Sequence, residues 1–245
     1  MWLLLLACTE EEPAKVEGRP DRQDESAADS EDTPEDSDPP SPCGKGMVLV
    51  GGFCIDKYES GIRGWSPYEV PTEGGQAASV EGEVPQGYIS AVQATSACEA
   101  AGKRLCTSEE WLRACQGPDG TTYPYGNSYD ATACNTSRAE HPVVSYWGND
   151  PNMWDSTHMN DPGINQQEDT VDPAGANPKC VSSEGVFDMH GNLHEWVADA
   201  SGTFRGGFYA DASINGSGCL YVTTAHSVDY HDYSTGFRCC GEPAK

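Results

Sequence analysis

The sequence predicts an α+β domain with little regular secondary structure, held by disulfides and preceded by an acidic tail. Three observations carry that prediction. Eleven cysteines fall in 245 residues, a density suited to an oxidising compartment and to scaffolds that need cross-links. Glycine (27) and proline (17) are abundant while Leu, Ile and Phe are sparse in the folded part, so loops are many and the apolar core is small. Two stretches carry helix-start signals, and they lie among apolar runs of strand length.

The chain begins MWLLLLAC, in which Leu5, Leu6 and Ala7 precede Cys8 in the order of a bacterial lipobox. Residues 1–8 are therefore expected to be a lipoprotein signal remnant, with Cys8 carrying a lipid that anchors the protein outside the cytoplasm, at the bacterial cell envelope. The alternative is a short apolar end with no targeting role, since the apolar run is about five residues and lacks a basic start. No other segment reaches the ~18 apolar residues of a membrane span. Residues 9–42 hold thirteen Asp and Glu against three Lys and Arg, with many Pro and Ser. They bury too little apolar surface to offset chain entropy and are read as a disordered, self-repelling linker. Of the formal charge of −25, about −15 remains on the domain expected over 43–245. That charge repels a phosphate backbone, which excludes nucleic acid as a partner.

The run MVLVGGFCIDKY (47–58) starts as an apolar strand, kinks at Gly51 and Gly52, and then alternates, as an edge strand with a bulge does. Ser90 can cap a helix to about Ala101, with Val92, Ala94 or Thr95, and Cys98 at helical spacing and Gly102 as its stop. Cys98 then faces the core. Thr107 and Glu110 form a capping box for a second helix, in which Trp111 and Cys115 share a face. From Gln116 to about Pro178 the chain is nearly all turns and too long for a simple connector. A bridge between Cys134 and Cys180, which bracket it, would contribute roughly 3 to 4 kcal/mol. Short strands are expected around FRGGFY (204–209), LYVTTAH (220–226) and GFRCC (236–240). Adjacent Cys239 and Cys240 point to opposite faces of a strand and should bridge to different partners. Ten cysteines remain once Cys8 is set aside, an even number that fits five disulfides; the zinc alternative lacks paired C-x-x-C knuckles.

The run GVFDMHGNLHEW (185–196) carries the densest chemistry. Asp188 and Glu195 supply carboxylates, and Gly191 allows a bend sharp enough to turn its own carbonyl and that of Leu193 toward the same point. Such oxygens suit a hard cation such as calcium; the bland reading is a pair of solvated turn carboxylates. His190 and His194 have the spacing of a helical metal pair, but Gly191 and Asn192 between them speak against a helix. No G-x-S-x-G, Walker loop or dinucleotide fingerprint appears, so hydrolase, NTPase and Rossmann functions have no support. Tyr123, Tyr125, Tyr146, Trp147 and Trp154 in the long loop either pack a core or line a groove for a peptide or glycan.

GKRLCTSEEW (102–111), YPYGN (123–127), GVFDMHGNLHEW, FRGGFY and GFRC (236–239), in this order, resemble the formylglycine-generating enzyme family, or sulfatase-modifying factors, over roughly 47–240. The resemblance implies a C-type-lectin-like fold with disulfides and structural calcium. It maps one calcium site onto Asp188, the carbonyls of Gly191 and Leu193, and Glu195, and starts a second at Asn135. Active members oxidise a substrate cysteine with dioxygen and copper, the copper being held by two cysteines just after RGG-x-Y. In this chain those positions fall on Asp211 and Gly216. A carboxylate cannot replace a thiolate on Cu(I), so copper is not expected. Cys219, allowing a small insertion, stands either for the second ligand or for a family cysteine that bridges to the second helix. The even cysteine count favours the bridge, to Cys115. Cys98 resembles the family cysteine that pairs with the one in GFRC, here Cys239; Cys106–Cys240, Cys134–Cys180 and Cys43–Cys54 follow by elimination and proximity. Iron-dependent sulfoxide synthases share the fold but need a further helical domain, for which there is no room.

The expected function is that of a lipid-anchored, calcium-stabilised, non-catalytic binding or structural module, acting on an exported protein, a peptide or a glycan. The alternative is a working oxidase that converts a protein cysteine to formylglycine, with Cys219 as a catalytic ligand.

Overall fold

The computed structural model describes residues 41–71, 75–224 and 226–244. The expected signal remnant with Cys8, and the acidic linker as far as residue 40, lie outside them. Among the described residues no helix is long and apolar enough to cross a membrane.

Strands β1 (Met47–Val50) and β2 (Phe53–Asp56) pair antiparallel with Val50 opposite Phe53. The single bulged strand expected there is corrected to a hairpin: Gly51 takes a left-handed φ of 59°, which lets the two-residue turn of Gly51 and Gly52 reverse the chain instead of bending it. β3 (Ser60–Ile62) and β4 (Ala77–Ser79) make a separate two-stranded sheet.

Helix α1 (Ala91–Ala100) begins at Ser90, whose hydroxyl accepts from the Gln93 N–H while the Gln93 side chain accepts from the Ser90 N–H. Its buried face is Ala91, Ala94, Ala97 and Cys98, while Val92 is exposed. The expected stripe through Val92 is corrected. The alanine face wins because small side chains let the helix lie close on β4, on β5 (Arg104–Leu105) and on a later strand at 235–237. Helix α2 (Ser108–Gln116) carries the capping box of Thr107 and Glu110 and buries Trp111 and Cys115 together. The long loop is mostly turns, as expected, but holds two short helices, α3 (Pro142–Trp147) and α4 (Ser156–Met159). It packs through Val143 and Ile164 onto Tyr88, Tyr209 and Tyr233.

The last segment gives β6 (His194–Trp196), β7 (Phe204–Arg205), β8 (Val222–Thr223), β9 (Thr235–Phe237) and β10 (Cys239–Gly241). One sheet has the order β1-β2-β10-β5 and another β8-β7-β6-β9. The run GFRCC is thus divided between two sheets rather than forming one strand, and the division falls at Arg238. Cys239 and Cys240 do face opposite ways. The five disulfides are Cys43–Cys54, Cys98–Cys239, Cys106–Cys240, Cys115–Cys219 and Cys134–Cys180, the pairs named from the sequence. One core cluster joins α1 to Trp196, Phe204 and Phe237; another gathers Trp111, Met189 and the Cys106–Cys240 and Cys115–Cys219 bridges.

Candidate functional site

The loop at 185–193 turns by left-handed residues at Asp188 (φ 59°), Gly191 (φ 86°) and Asn192 (φ 57°) before entering β6. Gly191 has no room for a side chain, because a Cβ there would meet the Asn135 carbonyl oxygen at 2.0 Å. That close approach docks the two segments: the Asn192 N–H donates to the Asn135 carbonyl at 2.8 Å and the Asn135 amide donates to Asn192 Oδ1 at 3.1 Å. Asn135, expected to begin a second calcium site, therefore docks on the loop expected to form the first.

Glu195 lies on β6 and is fully engaged. Arg238 donates to both of its carboxylate oxygens, and Trp111 Nε1 adds a bond to Oε2 at 2.8 Å. Arg238 also donates to the carbonyls of Asp56 (3.1 Å) and Phe187 (2.9 Å). Asp188 Oδ2 accepts from the Gly175 N–H at 2.7 Å. Glu59, which no sequence pattern singled out, is buried against the same loop and accepts from the Leu193 N–H at 3.0 Å and from the Asn192 amide. Three buried carboxylates, Glu59, Asp188 and Glu195, thus share one buried cation, Arg238. Burial together with repulsion from Glu195 and Asp188 pushes the Glu59 carboxyl well above its ordinary range. Burial likewise pushes Asp188 up to about 6, against the Gly175 hydrogen bond and the Arg238 charge, which lower it.

Excess buried negative charge among hard oxygens fits a divalent cation in kind. Asp188 and the carbonyls of Gly191 and Leu193 would hold calcium, and Glu195 would reach it only while shared with Arg238. Among the described residues no three acid, His or Cys side chains gather at one metal-sized point, so most donors would be backbone oxygens.

On the far side of the same loop the chain leaves β7 through Gly206 (φ 86°) and Gly207 (φ 75°) and reverses at 208–211, where Phe208 and Asp211 exchange backbone hydrogen bonds of 2.8 and 3.0 Å. Asp211 Oδ1 accepts from the N–H groups of Ser213 (2.9 Å) and Ile214 (3.1 Å), and among the described residues Oδ2 has only the Tyr221 hydroxyl, at 3.5 Å. Five residues on, a Cβ at Gly216 would meet the Leu220 carbonyl oxygen at 2.6 Å. Cys219 is fully buried and bridged to Cys115. The residues that the resemblance places at the family's copper positions are therefore an oxygen ligand already tied into a turn and a glycine with no space for a thiol. They do not fit Cu(I).

A cleft of about 380 Å³ opens at this reversal, with Asp211, Ser217, Ser137, Tyr123 and Tyr129 around it and His190 at its floor. His190 and His194 are not a metal pair, since no helix joins them. His194 is a core residue, bonded to the Ser234 hydroxyl (3.3 Å) and the Tyr221 hydroxyl (3.2 Å), and burial pushes it down to about 3. His190 is also buried, which lowers it to about 4 although the nearby Gly206 backbone pulls the other way. Neither of its ring nitrogens has a hydrogen-bond partner of normal geometry among the described residues. The loop aromatics divide: Tyr123 lines the cleft with Tyr129, which the sequence reading left out, while Trp147 packs on the core and Tyr146 and Trp154 are exposed.

Residues 53–242 match the family model described as the sulfatase-modifying factor enzyme 1-like domain. The chain is similar to the bovine (Bos taurus) protein named inactive C-alpha-formylglycine-generating enzyme 2, at 27% identity over an alignment of 191 residues, with 71% of this chain and 58% of that one covered. It is also similar to the formylglycine-generating enzyme of Thermomonospora curvata, at 25% identity, with 72% and 61% covered. The chain spans about three fifths of the length of the curated relatives it matches. Among solved structures it resembles PvdO from Pseudomonas aeruginosa (TM-score 0.50, 16% identity, 78% and 80% covered). It likewise resembles the I1 variant of the major tropism determinant (TM-score 0.51, 15% identity, 83% and 54% covered). The fold is C-type-lectin-like, and the chain belongs to the sulfatase-modifying factor family, that of the formylglycine-generating enzymes.

Proposed function

We propose that this protein is a non-catalytic member of its family: an exported binding or structural module, stabilised by calcium and anchored at a bacterial envelope through a lipid on Cys8. The observation that carries the reading is the fate of sulfur around the cleft. Asp211 and Gly216 occupy the positions where the family's copper thiols fall in register, and Cys219 is bridged to Cys115. A relative named as inactive supports the same reading. What the module grips is an exported protein, a peptide or a glycan, through the cleft at Asp211. The surplus of buried carboxylate around Glu59 and Asp188 supports calcium there, and five disulfides are compatible with export.

The similarity to a bacterial enzyme of this family favours a second reading, an oxidase that forms formylglycine in an exported protein. Counting thiols in the native protein without oxygen separates the two. The module has no free thiol in its folded part and takes up no Cu(I). Two reactive thiols with stoichiometric Cu(I) uptake would establish the oxidase instead.

A further inference from the structure

We infer that the cleft at Asp211 is a binding site for a neutral, hydroxyl-bearing sugar ring, an inference that rests on the binding-module reading and names its ligand class. The lining decides the charge first. It contains no Lys or Arg, and Asp211 is its acid, so phosphorylated, sulfated and uronic ligands are repelled. The rings of Tyr123 and Tyr129 stand 5.7 Å apart at 48° to one another, and Tyr129 is 54% exposed. Tyr129 offers its ring to the C–H face of a sugar, and Tyr123, stacked on Tyr125 at 5.5 Å, backs it as the partly buried wall.

The polar groups fit hydroxyl partners. Asp211 Oδ2 keeps an acceptor site that the Tyr221 hydroxyl, at 3.5 Å, hardly fills, and the Ser137 and Ser217 hydroxyls stand exposed at the mouth. At the floor, neither buried nitrogen of His190 has a partner of normal geometry among the described residues, although the Gly206 backbone lies near, and its ring packs 5.4 Å from that of Tyr123. A hydroxyl both donates and accepts, so it satisfies an imidazole nitrogen whichever role that nitrogen plays, whereas an ammonium group only donates. Buried polar groups left unpaired are costly, and a ligand hydroxyl that displaces the Tyr123 ring slightly would pair His190. The cleft volume lies in the range of small-ligand sites.

The test uses the full chain in calorimetric or NMR titrations with maltotriose, cellotriose and chitotriose as neutral probes, glucuronate as the anionic probe and n-butylammonium as the cationic one. At least one neutral trisaccharide should bind, with Tyr129→Ala weakening it about fivefold and His190→Gln weakening it while the melting temperature holds. Glucuronate should not bind. Because Tyr129 is exposed, its alanine variant keeps the fold and remains informative if His190→Gln does not. Saturation by n-butylammonium alone, no binding of any neutral probe at millimolar concentration, or binding indifferent to Tyr129→Ala would each overturn the sugar assignment. Thiol counting on the same sample keeps the two levels apart. Zero thiols without sugar binding removes only the ligand class, whereas free thiols with Cu(I) uptake removes the module reading beneath it.

Discussion

Arg238 and Glu195 form a bidentate pair, Nε to Oε2 at 2.5 Å and Nη2 to Oε1 at 2.6 Å, with both side chains shut away from solvent. Arg238 sits between the two strands of the C-terminal run and Glu195 on β6, so the pair ties the two four-stranded sheets together. Removing one partner strands a charge in the interior, a loss of about 3–5 kcal/mol. Arg238→Met should therefore be strongly destabilised in urea unfolding, the more so because Glu59 and Asp188 are left without their shared cation. A midpoint equal to that of the parent would show that the pair does not hold the sheets.

Calcium should raise the melting temperature. A cation that binds only the folded chain, at a hundredfold its dissociation constant, stabilises by about 2.7 kcal/mol, or about 5 to 11 °C for a domain of this size. Chelation should reverse the shift, and Asp188→Ala should abolish most of the response. Unchanged melting under both treatments identifies the loop as a plain turn.

Acid should weaken the fold in part through His141. Its Nδ1 accepts from the Val143 N–H at 3.3 Å to start α3, its Nε2 meets the Tyr233 hydroxyl at 3.2 Å, and burial holds it below its ordinary value. The folded state resists a proton that the unfolded chain takes up near pH 6.5, so this contribution is present above that pH and fades as pH falls through the lowered folded value. His141→Asn retains a capping acceptor and should show a shallower fall in stability between pH 7 and 5. An identical pH profile would absolve His141.

The bridge between Cys115 and Cys219 spans 104 residues of sequence, and its loss in the double alanine variant should cost about 2–5 kcal/mol. If the bridge is purely structural, the variant binds the same ligands at a temperature where it remains folded. Gain of oxidase activity in the single Cys115→Ala variant, which frees Cys219, would point to a latent metal role.

Local signals made much of this legible in sequence. The two capping boxes at Ser90 and Thr107 are written in four residues each, and the structure forms both. The cysteine pairs followed because family order fixed two of them and few partners remained. What escaped was set by contacts distant in sequence. Val92 and the alanines of α1 are both at helical spacing, and only the close sheets choose the smaller face. Glu59 lies 134 residues before the Leu193 N–H that it binds, so nothing around it marks it as part of the loop. The split of GFRCC arises from Arg238 turning inward to Glu195, whereas alternation alone reads as one strand.

The division of the C-terminal run also sets an order of assembly. β10 completes one sheet between β2 and β5, β9 closes the edge of the other, and the bridges of Cys239 and Cys240 reach back 141 and 134 residues. During synthesis Cys98 and Cys106 emerge long before their partners, close in sequence to each other and to Cys115. The native pairs therefore close only once β10 has appeared, and a chain cut short of Arg238 keeps β9 but lacks both of these cysteines and the strand that joins β2 to β5.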